Sequence, residues 1–129
     1  PRNLRLNASG TTTLGAPVGQ AVPHLAELST DAGGSTVISG GAVTTAGVQS
    51  FQDGVRLGAD TILTGAGISF GSTLDSDGTA RNLTVNDSGT TVFGGPVGTV
   101  SALAGLSTDA AGTTITARST WSGTSLIEG

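Results

Sequence analysis

Two aspartates alternate in Asp75-Ser76-Asp77-Gly78, and a third, Asp87, follows in the same region. Closely spaced carboxylates beside a glycine are the ligand type that a hard, oxygen-seeking cation such as calcium uses, because the glycine lets the chain fold back over the ion. The stretch fails as a helix-loop-helix calcium site: the sixth and twelfth loop positions, which need glycine and glutamate, hold Ala80 and Asn86. The glycine-rich nonapeptide calcium repeat fails too, since neither Gly33-Gly34 nor Gly94-Gly95 continues with its glycine and aspartate. Asp75, Asp77 and Asp87 stand as candidates for an irregular calcium site, set against a solvated turn. No other cofactor is expected.

The remaining reactive side chains are scattered. Glu27, Asp31, Asp53, Asp60, Asp109 and Glu128 occupy mostly turn-like contexts rather than gathering into the carboxylate pair that glycoside cleavage requires, so no enzyme is expected. Asp31 and Asp109 both follow Ser-Thr, where an aspartate caps a turn by accepting a backbone N–H. His24 is the single histidine and has no sequence partner with which to build a triad or a metal cage. Gly65-Ala66-Gly67 lacks the third glycine and the helix that a dinucleotide phosphate needs. Asn7, Asn82 and Asn86 carry glycan-acceptor signatures, which chance supplies in so Ser/Thr-rich a chain.

Composition narrows the partners. The five basic residues are all arginine (Arg2, Arg5, Arg56, Arg81 and Arg118) and lie singly, so nothing forms a footprint for nucleic acid. With no lysine, no cysteine and a formal net charge of −4, the chain offers neither disulfides nor thiolate metal sites. No apolar run approaches the roughly 20 residues of a membrane span. Pro1 opens the sequence without an initiator methionine or signal peptide, and the expectation is an internal or processed piece of something longer.

What must position these residues is a repeat. Asn3-Leu4-Arg5-Leu6-Asn7-Ala8-Ser9-Gly10-Thr11-Thr12 returns as Asn82-Leu83-Thr84-Val85-Asn86-Asp87-Ser88-Gly89-Thr90-Thr91, so that Asn3 corresponds to Asn82 and the chain holds about one and a half copies of the unit. Gly15-Ala16-Pro17-Val18-Gly19 returns as Gly94-Gly95-Pro96-Val97-Gly98, and Leu28-Ser29-Thr30-Asp31 as Leu106-Ser107-Thr108-Asp109 after one residue is lost. Between Gly, Asn and Asp turns lie apolar alternations such as Leu4/Leu6, Val55/Leu57, Ile68/Phe70 and Leu83/Val85, too short and too β-branched for helices. Hairpin sheets guard their edges, usually with lysine, which this chain lacks. A solenoid of coils of roughly 20 residues exposes edges only at its two ends. The expected fold is all-β, a right-handed parallel β-helix of about six coils with one loop protruding at 72–81, preferred over a β-sandwich. Residues 1–117 form the solenoid, and 118–129 a divergent cap or junction.

Leu57-Gly58-Ala59-Asp60-Thr61-Ile62-Leu63-Thr64-Gly65, then Ile68-Ser69-Phe70-Gly71-Ser72-Thr73, Asn82-Leu83-Thr84-Val85-Asn86 and Leu106-Ser107-Thr108-Asp109-Ala110 resemble the long repeats of bacterial surface adhesins of the filamentous-haemagglutinin and autotransporter type. The resemblance implies export to the cell surface or beyond, and a role as stalk, fibre or adhesive surface. A host receptor or a glycan is the partner it implies; it brings no catalytic residues. The chain departs from the repeat where Trp121 replaces the position of Val43. Trp121 and Arg118, with Leu4 and Leu6 at the other end, are the expected subunit junction of a head-to-tail homo-oligomer or filament. The alternatives are an ice-binding solenoid, motivated by Thr11-Thr12-Thr13 and Thr113-Thr114-Ile115-Thr116, and a carbohydrate-binding solenoid. The latter needs exposed aromatics from a set of only Phe51, Phe70, Phe93 and Trp121.

Overall fold

The computed structural model describes residues 2–21, 24–108, 112–116 and 126–127. Its regular elements are all strands: β1 (Asn3–Leu6), β2 (Thr11–Leu14), β3 (Glu27–Thr30), β4 (Ser35–Ile38), β5 (Ala42–Thr44), β6 (Gln49–Phe51), β7 (Gly54–Leu57), β8 (Thr61–Gly65), β9 (Ile68–Phe70), β10 (Leu74–Ser76), β11 (Asn82–Asp87), β12 (Thr90–Phe93), β13 (Gly105–Thr108), β14 (Thr113–Thr116) and β15 (Leu126–Ile127). They pair in parallel in three sheets, ordered β1-β3-β6-β9-β12-β14, β10-β7-β4-β2 and β15-β13-β11-β8-β5. The chain visits one sheet after another, so each strand lies on its counterpart one turn earlier. This is a three-sided β-solenoid of about five turns, one fewer than predicted. Coil length varies. Gln49 meets its partner one turn on at Ile68, whereas the chain runs further from Asn3 to Glu27, and the longer coils use the extra chain in their corners.

Strands form because alternate residues have a dry place to go. In β4 and β13 every second side chain is buried, and the inward rows converge on Leu28, Ile38, Val43, Leu57, Leu63, Leu83 and Val85. Register stacks like on like: Phe51, Phe70 and Phe93 form a buried ladder with centroids 5.4 and 5.3 Å apart and rings nearly parallel at 13° and 4°. Rings stacked in this way add to what their area contributes by leaving water. Many outward positions are small or polar, as in the column Ser29, Ser50, Ser69, although Ile62 on β8 is outward and exposed.

The corners reuse one geometry. Gly34 and Gly112 enter β4 and β14 with φ of +75° and +77°, a region that disfavours any side chain. A Cβ there would also run into carbonyl oxygens of the preceding coil, those of Ala8 and Gly10 at Gly34 and of Asp87 and Gly89 at Gly112. Ser35 N donates to Gly10 O at 3.1 Å and Thr113 N to Gly89 O at 3.0 Å. Sequence-equivalent corners are thus built alike.

They do not lie on the same face. β1 and β3 belong to the six-stranded sheet and β2 and β4 to the four-stranded one, but their repeat counterparts β11 and β13 lie in the five-stranded sheet and β12 and β14 in the six-stranded one. The repeat unit therefore spans eleven sides, counting the one marked by the bridge from Val18 to Val43, or three and two-thirds turns. Every motif has moved back by one face. The loop predicted at 72–81 also changes: β10 runs through it with Leu74, Asp75 and Ser76 buried, and the exposed part is 77–80. Leu74 alternates with polar residues too briefly for a strand to be read from sequence, yet its partner Val55 supplies the ladder.

Candidate functional site

The four-stranded sheet carries a groove on its outer face. Register lines up Thr11, Ser35 and Gly54 in one column and Thr13, Val37, Arg56 and Asp75 in the next. Gly54 makes the depression, because a Cβ there would come within 2.9 Å of Thr73 Oγ1. The result is a groove of about 120 Å³ lined by Thr11, Ser35, Val37, Gly54, Val55, Arg56, Thr73 and Asp75. Thr11 Oγ1 and Ser35 Oγ lie 3.2 Å apart, and Arg56 is exposed beside them. Hydroxyls and one guanidinium can hydrogen-bond a polar ligand; the lining includes neither an imidazole nor a second carboxylate that could act as an acid–base pair.

Each aspartate of the calcium candidate set is bonded elsewhere. Asp75 points outward yet is buried, because the segment at 98–101 folds over it: Oδ1 accepts Val100 N at 3.0 Å and Ser101 N at 3.2 Å. Asp77, on the exposed turn, pairs with Arg81 through Nε to Oδ1 at 3.1 Å and Nη2 to Oδ2 at 3.2 Å. Its hydrogen bond to the guanidinium holds the Asp77 carboxyl below its ordinary value, and the same contact raises Arg81. Asp87 is 1% exposed and accepts Gly67 N (2.7 Å), Ile68 N (2.9 Å), Gly89 N (2.8 Å) and Thr91 Oγ1 (2.7 Å). Burial pushes its carboxyl up, but these donors outweigh burial and leave it lowered. No three His, Cys, Asp or Glu residues come together as a metal-holding group among the described residues.

The corner carboxylates work between coils. Asp31 accepts a backbone N–H, and the donor is Ala8 N of the preceding coil at 3.3 Å. Asp53, which that reading treats as one dispersed carboxylate among many, is buried and accepts Thr30 Oγ1 and Thr36 Oγ1, both at 2.8 Å. Thr30 Oγ1 in turn receives Gln52 N at 3.1 Å. The shared signal for Asp53 and Asp87 is an aspartate at or just past a strand end and close to a glycine, Asp53-Gly54 and Asp87-Ser88-Gly89. His24 Nδ1 sits 2.6 Å from Gly19 O.

Of the predicted junction, Leu4 and Leu6 are half-buried in an end strand and pack against the core with Leu14 and Val18. Arg118, Trp121 and Asp109 lie outside the described residues. Phe51, Phe70 and Phe93 are buried, so none is available to stack on a sugar ring. On the four-stranded sheet Thr11 and Thr13 are followed one coil later by Ser35 and Val37, then by Gly54 and Arg56, so the threonine rank ends after one coil. No helix among the described residues is long and apolar enough to cross a membrane.

No protein-family model matches the chain, and neither a curated protein nor a solved structure does. The likeness to adhesin repeats rests on the sequence segments alone.

Proposed function

We propose that this chain is a structural segment of an exported bacterial surface protein or filament, bearing load and presenting a surface rather than catalysing a reaction. The observation that carries the reading is the in-register stacking of three parallel sheets around one continuous apolar interior. In such a stack every coil is hydrogen-bonded to the next, and force along the axis is shared among many backbone bonds. The outer faces suit the role: serine and threonine columns with few charges resist neither close packing nor hydration. The resemblance to filamentous-haemagglutinin and autotransporter repeats supports export and adhesion to a host receptor or glycan.

End strands β1 and β2, with Leu4, Leu6, Leu14 and Val18 only half-covered, give the chain a surface on which coils can continue. Head-to-tail assembly would turn a unit about as tall as five coil spacings of ~4.8 Å, roughly 24 Å, into a rod. Light scattering on the eluting protein and electron microscopy test this. Rods that lengthen with concentration are the expected result, and a monodisperse monomer at all concentrations overturns it.

A further inference from the structure

The outer groove of the four-stranded sheet is walled chiefly by strands from inside the stack. β4 lies between β2 and β7, and β7 between β4 and β10. β10 is followed in turn by the segment at 96–98, through the bridge from Leu74 to Val97 and the bonds from Leu74 N to Pro96 O at 3.1 Å and from Gly98 N to Leu74 O at 2.7 Å. Two polar groups of the groove lack partners. Arg56 makes no ion pair or hydrogen bond with a described residue, although Asp75 is its neighbour in the column. Asp75 is 8% exposed; Val100 N and Ser101 N hold its Oδ1, and no described group donates to Oδ2. That oxygen is still reachable from outside, since Gln49 Oε1 is the one side-chain atom among the described residues that is both sealed and unbonded. Asp75 therefore presents to the groove it lines an acceptor already fixed in place by two amides.

Charge decides what fits. Arg56 and Asp75 occupy adjoining positions of one column and cancel. An anion drawn to the guanidinium would meet the carboxylate, and a cation drawn to the carboxylate would meet the guanidinium, so either loses by like-charge contact. A neutral ligand rich in hydroxyls satisfies both, donating to Oδ2 and accepting from Arg56. Thr11 Oγ1, Ser35 Oγ and Thr73 Oγ1 add groups that can donate or accept, and Val37 adds an apolar patch. The volume of about 120 Å³ is well below the ~300 Å³ at which pockets for drug-sized ligands begin, so the groove takes one small unit. We propose that it binds a single neutral sugar unit, with Asp75 Oδ2 accepting from its hydroxyls, Arg56 donating to its oxygens and Val37 against its C–H face. This rests on the reading of the chain as a presenting surface, and names the face and the ligand class. The lining has no aromatic ring to stack on the sugar, so the affinity is in the millimolar range.

Glucose, galactose and mannose are each titrated into the full chain and followed by amide NMR, with glucuronate and calcium chloride as charged arms. The expected result is a saturable shift at Ser35, Val37, Gly54, Arg56 and Thr73 with at least one neutral sugar. Asp75→Asn keeps an acceptor for Val100 N and Ser101 N but turns Oδ2 into a donor, and Arg56→Ala changes an exposed position that the fold does not use. Each should weaken binding about tenfold, the size of one lost hydrogen bond to a charged group. Arg56→Ala keeps the test open even if Asp75→Asn disturbs the strand. No saturable shift with any neutral sugar, shifts centred on another face, or equal affinity in the parent and Arg56→Ala overturns the proposal, and so does tighter binding of glucuronate or calcium. Rods in the microscope without sugar binding overturn the groove and leave the scaffold reading standing. Sugar binding without rods leaves the groove standing and overturns end-to-end assembly.

Discussion

Strands β11 and β12 of the second repeat copy rest on β8 and β9, whereas their counterparts β1 and β2 have a neighbour on one side only among the described residues. The two copies keep the same turns and the same inward aliphatic positions, and they differ where the coil beneath would be touched. Asp87 reaches down to Gly67 N and Ile68 N, and the first copy has Ala8 there. Phe93 lies on Phe70, and the first copy has Leu14. The shared residues specify a coil, and the divergent ones specify its seat on the coil beneath. This is why a solenoid can carry one motif on two different faces: each side offers the same interior, and only the contacts along the axis are particular to a place.

Converting the second copy toward the first should break this seat. Asp87→Ala strands the part-buried amides of Gly67 and Gly89, the buried amide of Ile68 and the buried hydroxyl of Thr91, and is expected to destabilise by about 3 kcal/mol, read as a fall in the urea midpoint at unchanged slope. Acid should imitate the substitution. The folded chain keeps Asp87 ionised to a lower pH than its ordinary value of 3.8. Its contribution is therefore complete above that value and is lost as pH falls through the lowered folded value. In Asp87→Asn the stability lost between neutral pH and the acid range should shrink, and an unchanged acid slope would mean that another carboxylate sets it. Phe93→Leu, which copies Leu14, keeps an apolar side chain but removes one ring from the ladder. A loss of about 1 kcal/mol in the same titration is expected.

The strands were legible because burial demands alternation, and Leu4/Leu6, Val55/Leu57 and Ile68/Phe70 alternate openly. Parallel stacking was legible from the repeat together with the missing lysine. The turn of the repeat by one face was not, because the distance from Asn3 to Asn82 reveals the number of sides only when corner lengths are known. Those lengths differ from coil to coil, as the step from Asn3 to Glu27 shows beside the shorter one from Gln49 to Ile68. The groove was hidden for a related reason. Thr11, Ser35, Gly54 and Thr73 are ordinary residues one by one, and only register makes them neighbours. Asp75 was placed in a loop because Asp-Ser-Asp-Gly reads as a turn; the ladder with β7 and the amides of Val100 and Ser101 hold it in a strand instead.

The smallest effect is the most discriminating. Ala8→Asp gives the first copy the side chain that seats the second, with Gly10 and Thr12 at the positions of Gly89 and Thr91. If the carboxylate owed its worth to its own turn, the variant would gain more than about 1 kcal/mol, as a well-placed charged acceptor does. If its worth lies in the coil beneath, nothing equivalent to Gly67 and Ile68 is present among the described residues to receive it. Asp31, whose carboxylate already takes Ala8 N, would then stand close to the new charge and repel it. The expected change is within about 0.5 kcal/mol, measured by urea unfolding at neutral pH beside Asp87→Ala. A large gain would place the latch in the turn and remove the physical distinction between a seated coil and an open one.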